Sequence, residues 1–288
     1  SSGSTSYGFL ATGTHTTILS GNEIQEIAFD SSSSRFHEVK TAAGYKGKLV
    51  FKKNLQFDKL GSDLSGTSEN VYIGNSSLNG YKLSMDGNMF MYADVDLQGG
   101  EWNVTGNLRQ TNGVLFVDGG KLTVDGDYGI YQTQKNSTTD ETEIIDTEGY
   151  LKMVKSADYV TVGGDFMVCI YNGSHRTLLT AGILELKGDF RQVYAYSSGS
   201  TSYGFLATGT HTTILSGNEI QHITFDSTQS QFNNLKLTGD KDTDYVFSRD
   251  VCWNHLYYNT DVSAVTVYPK DKVMTKGTSW KFTATVSG

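Results

Sequence analysis

The side chains here that could do chemistry are carboxylates set near lysines at a recurring spacing. Asp125 and Asp127 stand close to Lys121, and Asp165 and Asp189 flank Lys187. Carboxylates and bases gathered from neighbouring strands are what polysaccharide lyases and hydrolases line a groove with. Asp125 and Asp127, two residues apart, would share one face of a strand. The same positions recur, however. Asn88, Asn107, Asp127, Asp165 and Asp189 each follow a glycine in one repeated phrase. A group present in every repeat is structural, whereas an active site is a single departure from it, so no catalytic residue is expected. The histidines (His15, His37, His175, His211, His222 and His255) have no HExxH or H-x-x-x-H spacing. Glycine-Asp arrays can bind calcium where oxygens converge from successive turns. A structural calcium ion is therefore the one ion the pattern could hold, although the GGxGxDxUx signature is missing and Asn replaces Asp at two positions. No other metal or cofactor is implied. Cys169 and Cys252 show no disulfide or zinc framework and read as small buried hydrophobes.

The repeated phrase shows what must position these groups. It runs glycine, alternating apolar residues, Gly-Asp or Gly-Asn, then a large apolar residue: GYKLSMDGNMF at 80–90, GGEWNVTGNLR at 99–109 and GGKLTVDGDYG at 119–129. Looser versions are ADYVTVGGDFM at 157–167 and AGILELKGDFR at 181–191. The second glycines are Gly87, Gly106, Gly126, Gly164 and Gly188, at steps of 19, 20, 38 and 24, and 38 reads as two steps of 19. The pairs Leu83/Met85, Trp102/Val104, Leu122/Val124, Val160/Val162 and Leu184/Leu186 alternate as a strand with one buried face does. A short strand, a Gly-Asx corner and a second short strand make one coil of a parallel β-solenoid, which must stack to bury its inner face. The glycines are expected to supply positive φ at the bend. The Asx residues would line up as a column. Met89, Leu108, Tyr128, Phe166 and Phe190 would form an apolar ladder inside. A hairpin-built sandwich would instead place Asn-Gly or Asp-Gly between strands.

A longer repeat encloses the short one. Residues 1–25 recur letter for letter as 197–221, and the likeness then fades at constant offset through Leu60 and Leu256. Residues 1–60 and 197–256 thus close successive long units of an array. About 11 or 12 coils, about 4.8 Å apart, would make a right-handed β-helix on the order of 55 Å long over residues 1–260. Ser62–Asn70 and Thr133–Gly149 break the pattern and are expected to leave the shaft as surface loops.

Composition agrees with an all-β class. There are 32 glycines, 17 tyrosines and one proline, Pro269, where average usage would give roughly 14. Proline removes a ladder donor, so its absence from the shaft fits strands bonded on both edges. The net charge of −8 and the lack of a basic run exclude a nucleic-acid footprint. No stretch reads as a membrane span or a leader, so no membrane insertion is expected.

Beyond residue 260 the period stops. Val265-Thr266-Val267 with Pro269, Lys276-Gly277-Thr278 and Phe282–Val286 resemble the opening of a bacterial immunoglobulin-like domain of group 2, as found in intimin- and invasin-type surface proteins. Residues 261–288 would be its first strands. The body, GTHTTILSGNEIQEIAFDS followed by GG-x-L-x-V-x-GDF coils, is similar to repeats of very large secreted proteins of clostridia-like Gram-positive bacteria. That resemblance implies an extracellular, adhesin-like location but names no ligand and no catalytic residue.

The expected function is a non-enzymatic rigid stalk or adhesive shaft of a bacterial surface protein. Its partners would be adjacent repeats of the same chain and a host or environmental surface, with glycan as one form. The alternative is a carbohydrate-binding or carbohydrate-cleaving β-helix; Tyr92, Tyr128, Tyr131, Tyr194, Tyr196 and Tyr203 could be partly exposed platforms that stack on glycans or protein partners, or equally strand residues that pack the ring and keep the hydroxyl wet.

Overall fold

The alternating residues pack as their period dictates. Leu83/Met85, Trp102/Val104, Leu122/Val124, Val160/Val162 and Leu184/Leu186 are all buried, and the residue between each pair is partly open to solvent. Each short strand pairs in parallel and in register with the next: Leu83 with Trp102, Trp102 with Leu122, Leu122 with Val160, and Val160 with Leu184. A parallel partner is out of reach of a tight turn, so the chain must circle once per strand. The computed structural model describes residues 8–170, 177–193, 204–239, 244–248, 251–258, 264–267 and 272–274. It is an all-β solenoid of about 10 turns, with no helix among the described residues.

Three parallel ladders form the wall. The first runs from Leu64–Ile73 through Glu101–Val104, Lys121–Val124, Tyr159–Val162, Ile183–Leu186, Thr212–Leu215 and Phe232–Leu237 to Trp253–Tyr258. The second runs from Ile24–Phe29 through Leu108–Gln110, Tyr128–Ile130, Phe166–Val168, Phe190–Gln192 and Gln221–Phe225 to Asp244–Phe247 and Ala264–Val267. Leu64–Ile73 and Lys82–Met91 are long enough to serve both ladders. The third holds Thr16–Leu19, Phe36–Thr41, Phe57–Leu60, Ser76–Ser77, Val95–Asp96, Gly113–Phe116 and Gly149–Lys152. One continuous apolar core fills the interior, and Met89, Leu108, Tyr128, Phe166 and Phe190 stand in it as the sequence led us to expect.

Four expectations need correction. Tyr128 pairs directly with Phe166, so the 38-residue step is a single turn carrying an excursion. That is one reason for about 10 turns rather than 11 or 12, and it brings the shaft to roughly 48 Å. The excursion is an antiparallel hairpin, Gln132–Lys135 with Thr142–Ile145, largely exposed as foreseen for that stretch. Ser62–Asn70 does not leave the shaft. It feeds the strand Leu64–Ile73, with Leu64 and Val71 buried and a register irregularity between Ser68 and Val71 where Asn70 takes φ 56°. Its polarity is that of a wet outer face.

The third correction concerns the corner glycines. Of the five second glycines only Gly87 has positive φ. At Gly126 and Gly164 the constraint is proximity: a Cβ would lie within 2.2 Å of Asn107 Oδ1 and 2.3 Å of Asp127 Oδ1 respectively. Positive φ sits instead at the turn before the first ladder, as in Asn79-Gly80 and Asp118-Gly119. The fourth is Tyr128, counted above among the partly exposed candidates for stacking. It is fully buried, with its hydroxyl donating to Gln110 Oε1 at 2.6 Å.

At the C-terminal side, Ala264–Val267 continues the second ladder in parallel with Asp244–Phe247 and pairs antiparallel with Lys272–Met274. Pro269 and residues 276–286 lie outside the described residues.

Candidate functional site

The Asx residues form the expected column, and nearly all its chemistry is directed along the shaft. Each Oδ1 accepts the backbone amide one turn on: Asn88 from Asn107 at 2.9 Å, and Asn107 from Asp127, Asp127 from Asp165 and Asp165 from Asp189, each at 2.8 Å. Asp189 ends the series by accepting from His222 at 2.8 Å. Asn88 also donates to Asn70 Oδ1 at 3.3 Å. The glycine amides at the corner bond to main-chain carbonyls of the preceding turn, and the column supplies acceptors for the Asx amides beside them.

The carboxylates and lysines named from the sequence form no ion pair with one another among the described residues. Among the described residues neither Lys121 nor Lys187 is ion-paired, and Lys121 Nζ lies 5.8 Å from the centre of the Tyr159 ring. Glu185, on the same outer face, accepts from the Tyr159 hydroxyl and from Ser216 Oγ at 2.8 Å. The bond to Glu185, aided by desolvation, pushes the Tyr159 hydroxyl up to about 12. Glu101, Lys121, Tyr159 and Glu185 line a shallow basin of about 400 Å³. No cluster of three or more metal-binding side chains occurs among the described residues. Cys169 is buried, and desolvation, with Asp146 and Asp226 nearby, pushes its thiol up to about 12.

Three polar features escaped the sequence reading. Gln110 and Gln192 close the second ladder from inside. Gln110 donates to the Gly113 and Tyr150 carbonyls at 2.6 and 3.1 Å, and Gln192 accepts from the Ser227 amide at 3.0 Å. Their signal was the recurring triplet Leu108-Arg109-Gln110 and Phe190-Arg191-Gln192. Asp158 is buried and holds the amides of Gly119, Val154 and Lys155 at 2.5, 2.7 and 2.9 Å. Finally, Asp58 binds Arg35 Nη1 at 3.1 Å and lies 2.7 Å from His37 Nδ1. Arg35 and Asp58 line a basin of about 450 Å³ with Leu10, Asn75 and Tyr92. This trio departs from the repeat, but no sequence spacing announces it, because the solenoid brings its members together from successive turns.

One outer strip carries an exposed ring, Tyr72, and two half-buried ones, Phe90 and Tyr131. Tyr72 stacks on Phe90 at 5.0 Å, and the Arg109 guanidinium lies 4.4 Å over Tyr131. Gly129 leaves room for that ring, since a Cβ there would come within 2.3 Å of it. The strip flanks the Asx column in a depression of about 280 Å³. Of the six tyrosines named from sequence, Tyr131 lies in this strip. Tyr92 is half-buried at the Arg35 basin, and Tyr194, Tyr196 and Tyr203 lie outside the described residues.

No protein-family model, no curated protein and no solved structure matches this chain.

Proposed function

We propose that this chain is a non-enzymatic shaft, a rigid stalk or adhesive segment of a bacterial cell-surface protein. The observation that carries the reading is the Asx column. Its two amide and three carboxylate side chains, the candidates Asp127, Asp165 and Asp189 among them, are each bound through Oδ1 to an amide of the next turn. Together with the parallel ladders and the continuous core, this ties each turn to its neighbours. An extracellular setting in a Gram-positive organism, repeats in series and an immunoglobulin-like continuation after residue 260 belong to the same proposal and rest on the sequence resemblances. The test pairs two measurements on the full chain. Small-angle scattering should give one straight rod, and a panel of polysaccharides should keep its chain length on incubation. A flexible profile or depolymerised glycan overturns the reading.

A second reading, a carbohydrate-binding face, has one observation in its favour. Stacked rings beside a row of planar amides and carboxylates, as at Tyr72, Phe90, Arg109 and Tyr131 next to the column, suit sugar rings. A glycan array should then show binding that Tyr72→Ala and Tyr131→Ala each reduce, with equal signal in calcium and in chelator.

A further inference from the structure

Residues 1–25 and 197–221 are the same sequence, and they meet the coil that follows in the same register. Thr16 faces Glu38 as Thr212 faces Asn234, and Gln25 faces Leu49 as Gln221 faces Tyr245. They differ in what stands before them. Thr212–Leu215 receives Ile183–Leu186, and Gln221–Phe225 receives Phe190–Gln192. Among the described residues no strand lies on the corresponding edge of Thr16–Leu19 or Ile24–Phe29. Phe205 and Leu206 are 0% and 6% exposed, while Phe9 and Leu10 are 40% and 45% exposed.

We infer that the rim formed by residues 9–31 is a docking edge for a parallel β-coil of the kind formed by residues 179–192, carried by a repeat unit joined on its N-terminal side. This rests on the shaft reading and deepens it by naming the partner and the groups that recognise it. The second copy shows the bonds such a coil makes. Thr208, Thr210, Thr212, Ser216 and Asp226 donate their amides to the carbonyls of Leu179, Thr180, Gly182, Leu186 and Gln192. The His222 amide reaches Asp189 Oδ1, and the Ser227 amide reaches Gln192 Oε1. The counterparts on the rim are the amides of Thr12, Thr14, Thr16, Ser20, Asp30, Glu26 and Ser31. Part of the side-chain seat is already in place. Phe9 packs on Phe29 and Phe36 as Phe205 packs on Phe225 and Phe232. The rings that close the other side of Phe205 are Phe166 and Phe190. The arriving coil must therefore bring an aromatic at the Phe190 position and a short carbonyl-acceptor side chain at the Asp189 position.

The test places residues 149–196 directly before Ser1 of the full chain, which reproduces the Tyr196–Ser197 junction residue for residue. Amide exchange at Thr12, Thr14, Thr16, Ser20 and Asp30 should slow at least about a hundredfold, approaching the rates of their second-copy counterparts. The same fusion carrying Leu10→Asp should lose most of that gain. Unchanged exchange at the five amides overturns the inference, whether or not the added segment folds. So does a concentration-dependent dimer of the unfused chain that already protects them, because the occupant would then be a second copy docked rim to rim. Rod-like scattering from the unfused chain, measured alongside, keeps the shaft reading separate: a stiff rod with an unprotected rim leaves the shaft standing and removes only its docking edge.

Discussion

The two copies of one sequence, at residues 8–25 and 204–221, show how little a residue's type decides its burial in a stacked fold. His15 is exposed and His211 buried; Thr17 and Gln25 are half-buried and Thr213 and Gln221 fully so. The local sequence, the strand bounds of Thr16–Leu19 and Thr212–Leu215 and the register to the following turn are the same in both. What differs is the turn before, 4.8 Å or so away along the axis, together with side chains of the turn after, such as Leu49 where the second copy has Tyr245. In a nearest-neighbour architecture stability is a sum of unit and interface terms. Among the described residues the first copy has one interface and the second has two, so matched substitutions at positions whose contacts with the following turn are alike report on the interface term.

The largest contrast is expected at the aromatic seat. Phe205→Ala empties a site enclosed by Phe166, Phe190, Phe225 and Phe232. It should cost about 3–5 kcal/mol, as large core truncations do. Phe9→Ala removes a ring already partly in water and should cost about 1 kcal/mol. Urea midpoints of the two variants give the comparison, and equal shifts would show that the preceding turn contributes nothing to the seat. A smaller contrast lies at the turn glycines. Gly13 and Gly209 both have left-handed backbone, with φ 72° and 64°. Alanine at either should cost about 1–2 kcal/mol for that conformation alone. At Gly209 the new Cβ would also stand 2.4 Å from the Thr180 carbonyl oxygen, whereas at Gly13 nothing lies within 4 Å. Gly209→Ala should therefore lose a further amount of about 1–3 kcal/mol to overpacking. Thermal unfolding of the pair checks it, and a Gly13→Ala variant as damaged as Gly209→Ala would mean that the rim is covered in solution.

These contrasts also mark what could be read from the chain. Alternation at Leu83/Met85 or Leu184/Leu186 has one physical meaning, a strand with one dry face, and the stacked order followed from it. The Asx column was legible because corner amides need an acceptor at each turn. The reason for Gly126 and Gly164 was not legible. A glycine required by a neighbouring turn's Oδ1 looks, in one dimension, like a glycine required by its own φ. The 38-residue step misled because a hairpin of nearly one coil's length replaced a coil, and only pairing partners tell the two apart. The Arg35, His37 and Asp58 contact was invisible for a similar reason, since Asp58 joins the other two from the next turn.

That contact supplies the smallest and most discriminating difference between the copies. At constant offset, Arg35, His37 and Asp58 become Gln231, Asn233 and Asn254. The geometry survives the change: Asn254 Nδ2 donates to Asn233 Oδ1 at 3.0 Å where Asp58 Oδ2 meets His37 Nδ1 at 2.7 Å. The first copy thus holds by charge what the second holds by neutral amides. Arg35 and Asp58 are partly exposed, so the ion pair is worth under about 1 kcal/mol, and Asp58→Asn should destabilise by no more than that. The loss should shrink further at about 1 M salt, where the screening length is about 3 Å. Asn254→Asp in the second copy puts a carboxylate opposite two neutral side chains and should destabilise to a similar small extent. Adding Gln231→Arg should recover it, with a coupling of about 0.5 kcal/mol or more in a double-mutant cycle. No coupling would mean that the arginine and aspartate of the first copy are held by the Leu10 and Tyr92 basin rather than by each other.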